Sequence, residues 1–473
     1  HFERRRSGKT SARRGFLIRD RVGRDQMPAI RSQMLRTSLT EKLRVAATHP
    51  HMNTKRNTKH AHGREAWFPY YAGYPEKFVE IILDQAALKK GAVVLDPWNG
   101  SGTTTSIASY RGFNSIGIDI NPVAVLVASA KISGSRDNNR NDFLIEKICQ
   151  LATREPNEQD ASSDSLSKWL PLDVVSIYRA IEQHILCNIE KKSTVDYLNP
   201  AMMPLSPTAS FFILALMRAA RSISTMRTAS NPTWIRPGVE TDCRPDHLIK
   251  AWKYQISNMS ANLDLNASED FIPSNIILGD SRNIELEDEM VDLIITSPPY
   301  CTRVDYIKST SFELAALGIS DGDVPFELVR RSCMGSTLVR NATLPEIPNE
   351  WPIEIKDTLS HIRNHASKAS GSYYYKTYWQ YFDDLIQSVG ELKRCLKFNG
   401  SIVMVVQTSY YKDVLIDVPK LLIATARTHG LNGSTVSCKP VHNGLFQINR
   451  KAKEYALGRQ YAEAVICLEP YND

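Results

Sequence analysis

A chain of 473 residues, 42% hydrophobic and 23% charged, can bury a large core, which excludes both a disordered polar chain and a small disulfide-stapled fold. Its eight cysteines stand singly, with no Cys-x-x-Cys pair and no His/Cys cluster at ligand spacing, so no metal site is expected and a reducing, cytoplasmic setting fits. The longest strongly apolar run, Phe211 to Met217, is too short to cross a bilayer, so no membrane contact is expected. The net charge of +7 is uneven: residues 1–66 carry 17 Lys/Arg against 5 Asp/Glu, and the rest is slightly acidic. That arm reads as basic and largely disordered, a candidate electrostatic grip on nucleic acid.

Along the chain, apolar residues at helical spacing predict a helix from Tyr74 to Ala87. Ala92 to Leu95 is a short apolar strand, Thr103 to Arg111 a helix stopped by Gly112, and Ser115 to Ile118 a second strand ending at Asp119. Strand, glycine turn, helix, strand and acid open a doubly wound α/β sheet. Residues 136–270 then read as helical, with periodic stretches at 172–192, 207–227 and 246–260. Strands resume at Asn275 to Leu278 and Asp292 to Thr296. A helix from Tyr378 to Leu396, ended by Gly400, precedes strands at Ile402 to Val406 and Ala462 to Leu468.

Two strings carry chemistry. In Asp96-Pro97-Trp98-Asn99-Gly100-Ser101-Gly102-Thr103-Thr104, the glycines let the backbone turn tightly against a ligand, and the following helix points free N–H groups at an anionic part of it. Asp119, 23 residues after Asp96, has the spacing at which an acid reaches ribose hydroxyls. No G-x-x-x-x-G-K-[ST] occurs, so a nucleotide triphosphatase lacks its lysine. In Thr296-Ser297-Pro298-Pro299-Tyr300, two prolines with fixed φ and no N–H make a stiff loop that presents carbonyl acceptors. No Pro-Cys pair exists to supply a cysteine nucleophile for attack on a ring carbon.

Together with Gly117-Ile118-Asp119-Ile120-Asn121-Pro122, these strings resemble the S-adenosylmethionine-dependent DNA amino-methyltransferases, which methylate cytosine N4 or adenine N6. The family usually has Phe where this chain has Trp98, so an aromatic is kept. The resemblance covers residues 67–132 and 274–468, including Cys301 to Gly318 with Arg303, Asp305 and Tyr306, and Gln407 to Tyr411. It implies a Rossmann-like class I α/β fold, a mainly parallel doubly wound sheet with a helical insertion. It implies a cofactor site of Asp96, Pro97, Trp98, Gly100, Ser101, Gly102, Thr103, Asp119 and Asp280, with Asp280 accepting from the adenine amine and Phe68-Pro69-Tyr70 closing over the methionine end. It implies a catalytic loop in which Ser297 and Pro298 accept the amine protons of an extruded base, Pro299 stiffens the turn and Tyr300 stacks on the base.

The expected organisation is the arm (1–66), a cofactor half (67–135), a helical insertion serving as target reader or lid (136–270) and a catalytic half (271–473). Arg218 and Arg221 with Ser222 and Thr225 form one candidate phosphate-contacting strip. The segment 320–372, with Arg330, Arg331 and Arg340, is a second candidate reader. Within that family Ser at the position of Ser297 is typical of cytosine-N4 enzymes, so the resemblance implies cytosine N4 in duplex DNA, with a restriction endonuclease or defence-system proteins as partners. Adenine N6, RNA guanine N2 and a non-catalytic recognition subunit are the alternatives.

Overall fold

A computed structural model of the chain describes residues 38–48, 52–56, 63–69, 73–133, 138–155, 161–228, 234–238, 242–263, 271–302, 304–441 and 459–471. Most of the basic arm lies outside these. Those of its residues that are described, from Leu39 on, group with the rest of the chain in one compact unit. Helix α1 (Leu39–Ala46) buries Leu39 and Leu43, and its first turn is held where the Leu39 N–H (3.1 Å) and Thr40 Oγ1 (2.9 Å) donate to the Glu469 carboxylate. Helix α2 (Glu76–Ala86) buries Phe78, Val79, Ile82 and Leu83 and stops at Ala87.

The nucleotide-fold opening follows as read: β1 (Val93–Asp96), α3 (Thr103–Tyr110), β2 (Asn114–Asp119) and α4 (Pro122–Lys131). Asn121 starts α4 by accepting the Val123 N–H at 3.0 Å, and Pro122 sits in the first turn where its missing N–H costs nothing. The helical block holds α5 (Asn138–Arg154), α6 (Leu172–Ile185), α7 (Pro207–Ile223) and α8 (Pro245–Ser260), with α7 packed between α4 and α8. Phe211 to Met217 are almost wholly buried there, so the longest apolar run is core. Leu39–Asp473 forms one compact unit, so the block is a layer of the body and not a separate lobe. The helix expected over 207–227 ends at Ile223. Met226–Thr228 (β3) pairs instead with Ile235–Pro237 (β4), after a Ser-Ile-Ser-Thr stretch poor in helix formers.

The chain continues through β5 (Asn275–Leu278), β6 (Val291–Thr296), α9 (Ser311–Ala316), α10 (Val324–Ser332), α11 (Ile353–Asn364) and α12 (Tyr375–Cys395). It ends with β7 (Leu396–Gln407), the hairpin β8 (Ser409–Tyr411) and β9 (Val414–Ile416), α13 (Val418–Thr428), β10 (Leu431–Pro440) and β11 (Ala462–Pro470). Gly400 does not end α12, as expected from sequence; it lies inside β7. A Cβ there would meet Leu396 Cδ1 at 2.6 Å and the Asp292 carbonyl at 3.1 Å, beside a register shift on β6.

The seven-stranded sheet runs β10-β11-β7-β6-β1-β2-β5, parallel except for β11, which is antiparallel to both neighbours. Alternate residues feed opposite faces: Val94, Leu293 and Ile295 meet α2, whereas Leu95 and Ile294 share a core with Phe382 and Leu385 of α12. From β1 the order runs outward to β2 and β5, then restarts on the other side with β6. The topological switch point therefore lies between β1 and β6, where open α/β sheets hold ligands. Both chemistry-bearing strings leave the sheet at that point.

Candidate active site

A buried polar knot joins the two strings. Asp96 Oδ1 accepts from Thr296 Oγ1 at 2.6 Å and from the Trp98 N–H at 3.2 Å, while Oδ2 accepts from the Tyr74 hydroxyl at 3.1 Å. Tyr74 Oη also lies 2.6 Å from Thr104 Oγ1 and 3.2 Å from the Ile295 carbonyl. Burial raises the Asp96 pKa, and these hydrogen bonds oppose the shift. Asp96 thus ties the end of β1 to the residue preceding Ser297. Neither Thr296 nor Tyr74 was assigned a role from sequence, although Thr296 stands inside the quoted loop.

The glycine turn is held from below. Gly100 and Gly102 have φ of 49° and 77°, and the Gly100 N–H donates to Asp119 Oδ2 at 2.8 Å. Asp119 Oδ1 accepts from the Asn121 N–H at 2.9 Å, which leaves lone pairs on both oxygens for a diol. Asn99, which sequence reasoning passed over, lies across Gly117, where a Cβ would come within 2.4 Å of its Nδ2. Its Oδ1 accepts from Thr105 Oγ1 at 3.0 Å. Beside the turn, Arg56 Nη1 reaches Ser101 Oγ at 3.4 Å.

Burial lifts the Asp119 carboxyl from 3.8 to about 6, against the pull of the Asn121 and Gly100 amides. With the folded value above the unfolded one, this group's contribution to stability falls as pH rises from about 4 to about 6. A ligand diol needs the ionised acceptor, so affinity for an adenosine-type ligand should drop about tenfold per pH unit below about 6 and level off above 7. Calorimetric titration across pH checks this, and Asp119→Asn should abolish the dependence as well as most of the affinity.

Asp280 is on the cavity wall but is not free. Arg282 donates to it from its backbone N–H at 2.9 Å and from Nε at 2.9 and 3.1 Å, with an Nη2 ion pair besides. Arg282 Nη1 continues to Asp384 at 2.6 Å, and Arg340 Nη2 reaches both oxygens of Asp384 at 2.6 Å. Asp384 is fully buried. Removing its carboxylate would leave Arg340 without its ion-pair partner and Arg282 with Asp280 alone, so Asp384→Ala should cost about 3 kcal/mol in a urea unfolding experiment.

The loop after β6 is fixed at several points. Ser297 Oγ donates to the Val405 carbonyl at 2.9 Å, which commits its proton and leaves lone pairs. The Pro299 carbonyl accepts from the Tyr381 hydroxyl at 3.1 Å, and the Tyr300 N–H donates to Tyr306 Oη at 3.2 Å. Tyr300 Oη donates to Glu463 Oε2 at 3.0 Å. Among the described residues the Pro298 carbonyl accepts no hydrogen bond. The loop therefore offers two acceptors beside one aromatic ring, the Pro298 carbonyl and the Ser297 hydroxyl, the latter also facing the Tyr300 phenol.

One cavity of about 980 Å³ holds both ends. Its lining includes Asp96, Pro97, Trp98, Gly100, Ser101, Thr103, Asp119, Asp280 and all of Ser297 to Tyr300; Gly102, between two lining residues, is not part of it. Among the residues sequence reasoning had not named for the site, Tyr74, Asn99, Arg282, Cys333 and Met334 also line it. No group of His, Cys, Asp or Glu that could hold a metal occurs among the described residues.

The candidate phosphate strip is a correction. Arg218 donates to Gln255 Oε1 (2.9 Å) and to the Ala66 (3.2 Å) and Trp67 carbonyls, and Arg221 pairs with buried Glu313. Both guanidiniums hold α7 to its neighbours, because buried acceptors from distant segments face them. In the second candidate reader, Arg330 pairs with Asp305 and Glu327, and Arg340 with Asp384; Arg331 is exposed. Phe68 is buried in the core with Trp67, away from the cavity lining; Tyr70 and Arg303 lie outside the described residues.

A seven-stranded sheet of this order, with a glycine turn after β1 and an acid after β2 facing one crevice, defines a Rossmann-like fold of the class I methyltransferase type. A family model described as DNA methylase, N6_N4_Mtase, matches residues 25–130. Type II methyltransferase M.AvaI of Nostoc sp. is 24% identical over 413 residues, 80% of this chain and 81% of that protein. Type II methyltransferase M.BsoBI of Geobacillus stearothermophilus is 23% identical over 326 residues, 60% of this chain. The chain spans 58% of the length of that relative. A structure of the rRNA methyltransferase aviRa from Streptomyces viridochromogenes aligns over 85% of this chain and 87% of that one at 8% identity, with a TM-score of 0.25. The family match and the curated relatives support the N4/N6 amino-methyltransferase family for this chain.

Proposed function

We propose that the chain is an S-adenosylmethionine-dependent DNA methyltransferase that modifies the exocyclic N4 of an extruded cytosine. The observation that carries this reading is the pair of loop acceptors, Ser297 Oγ and the Pro298 carbonyl, in one cavity with the glycine turn and Asp119. An exocyclic amine is a poor nucleophile because its lone pair is delocalised into the ring. Two acceptors around its N–H bonds draw the nitrogen toward a tetrahedral shape and aim the lone pair, so the protein's share of catalysis is positioning and electrostatics.

The residues present fit the cofactor. Asp119 would accept from the ribose hydroxyls, the Gly100–Gly102 turn and the start of α3 would meet the carboxylate, and Trp98 would pack on a flat face. Asp280 would reach the adenine amine only with the lone pairs Arg282 leaves. When bound, the cofactor supplies an electrophilic methyl group. Pro299, its carbonyl pinned by Tyr381, keeps the turn rigid, and Tyr300 would stack on the base. Ser297 in the first loop position supports N4 over N6, since Asp or Asn is typical there of adenine enzymes.

A Type II restriction–modification setting with a cognate endonuclease belongs to the same proposal, supported by the Type II methyltransferase names of the relatives, and so does a cytoplasmic location, supported by the singly placed cysteines. No helix among the described residues is long and apolar enough to cross a membrane. The test is incubation with methyl-labelled cofactor and duplex DNA, single-stranded DNA or RNA, followed by mass identification of the modified nucleoside. N4-methyldeoxycytidine in duplex DNA is expected. N6-methyldeoxyadenosine would overturn the choice of base, and label confined to RNA would overturn the substrate class.

A further inference from the structure

The segment Met52 to Arg56 and the second residue of β11 meet behind the catalytic loop. Glu463 is 8% exposed, opposite Gln407 of β7 and Lys439 of β10 in the sheet register. Its Oε2 accepts from the Tyr300 hydroxyl at 3.0 Å and its Oε1 from the Thr54 hydroxyl. Lys439 Nζ donates to the Met52 carbonyl at 2.9 Å, and Arg56 reaches on to Ser101 in the glycine turn. A buried carboxylate is costly unless its lone pairs are satisfied, and among the described residues no cation pairs with this one. What it receives are two hydroxyl protons, one from the loop and one from the N-terminal segment. Each oxygen has its own donor, so the carboxylate cannot turn away from Tyr300.

We propose that Glu463, braced by Thr54, is a positioning residue that fixes the Tyr300 ring on the cavity wall in the orientation that stacks on the extruded base. The Tyr300 backbone is held separately by Tyr306, so the hydroxyl bond governs the ring and not the path of the loop. Burial and the neighbouring carboxylate push the Tyr300 pKa well above its usual value, so the phenol keeps the proton that makes this bond. Glu463 touches neither base nor cofactor; it acts through Tyr300. The inference rests on the base-stacking role proposed above.

The test is a double-variant cycle read by single-turnover methyl transfer to duplex DNA, with cofactor affinity by calorimetry and melting temperature alongside. Tyr300→Phe and Glu463→Ala should each lower the transfer rate about tenfold, and the double variant should fall no further. Cofactor affinity should stay within about threefold of wild type, because the Tyr300 and Glu463 side chains hydrogen-bond neither to the glycine turn nor to Asp119. Glu463→Gln, whose amide oxygen still accepts from the phenol, should restore most of the rate. Additive losses, or losses that follow melting temperature while Glu463→Gln fails to rescue, would overturn the positioning role. A wild-type chain that transfers no methyl to DNA would instead overturn the underlying reading, and the proposal with it.

Discussion

Tyr300→Ala should lower methyl transfer to DNA about a hundredfold while leaving cofactor affinity within about threefold. The ring is the aromatic surface of the loop on the cavity wall, and stacking on it is worth about 1–3 kcal/mol per base, before the added loss of aim at the acceptors. The polar knot at Asp96 does not involve Tyr300, so the cofactor end should be untouched. Single-turnover transfer combined with calorimetric titration of the cofactor separates the two. Equal loss of rate and affinity would make the loop a structural prop of the whole crevice. Pro298→Ala should behave similarly, through a softened turn and a less fixed carbonyl.

Gly102→Ala should remove cofactor binding and cost about 2–5 kcal/mol of stability. Two independent penalties meet there. At φ 77° an L side chain is strained, and an added Cβ would stand 2.7 Å from Ala128 Cβ and 3.0 Å from Ala128 Cα of α4. The second contact is with backbone, so it is relieved only by parting α4 from the glycine turn. Urea unfolding should show the loss, and the double variant Gly102→Ala with Ala128→Gly should recover only the part due to the Cβ contact, less about 1 kcal/mol for a glycine inside α4, and none of the part due to φ or to the Ala128 backbone. Full recovery would mean that crowding alone matters at this position.

The β1–α3–β2 opening was legible because its signals are local: four apolar residues, a glycine turn and an acid at fixed spacing. The same locality made the Ser297 to Tyr300 loop readable, since two adjacent prolines constrain their own backbone whatever surrounds them. What joins the two strings was not readable. Thr296 and Asp96 are separated by 200 positions, and their bond exists only because β1 and β6 are neighbours in the sheet. Arg218 and Arg221 failed for the same reason, as charges three apart on a helix resemble a solvated face until Gln255 and Glu313 arrive from elsewhere. The end of α12 was misplaced because Leu396 continues the apolar stripe of Leu385, Val389 and Leu392 while already belonging to β7. Strand β10 gave no period to read, since it buries Leu431 and leaves most later residues partly or fully exposed.

A cofactor bound at the glycine turn should direct its sulfur toward Ser297 and Pro298 within one crevice. A crystal structure of the chain with S-adenosylhomocysteine tests it directly. The ribose hydroxyls should lie on Asp119, the carboxylate at the Gly100–Gly102 turn, and the sulfur facing the Ser297 to Tyr300 loop with room between them for a nucleobase. A ligand seated there with its sulfur turned away from that loop, or bound at another surface altogether, would contradict it.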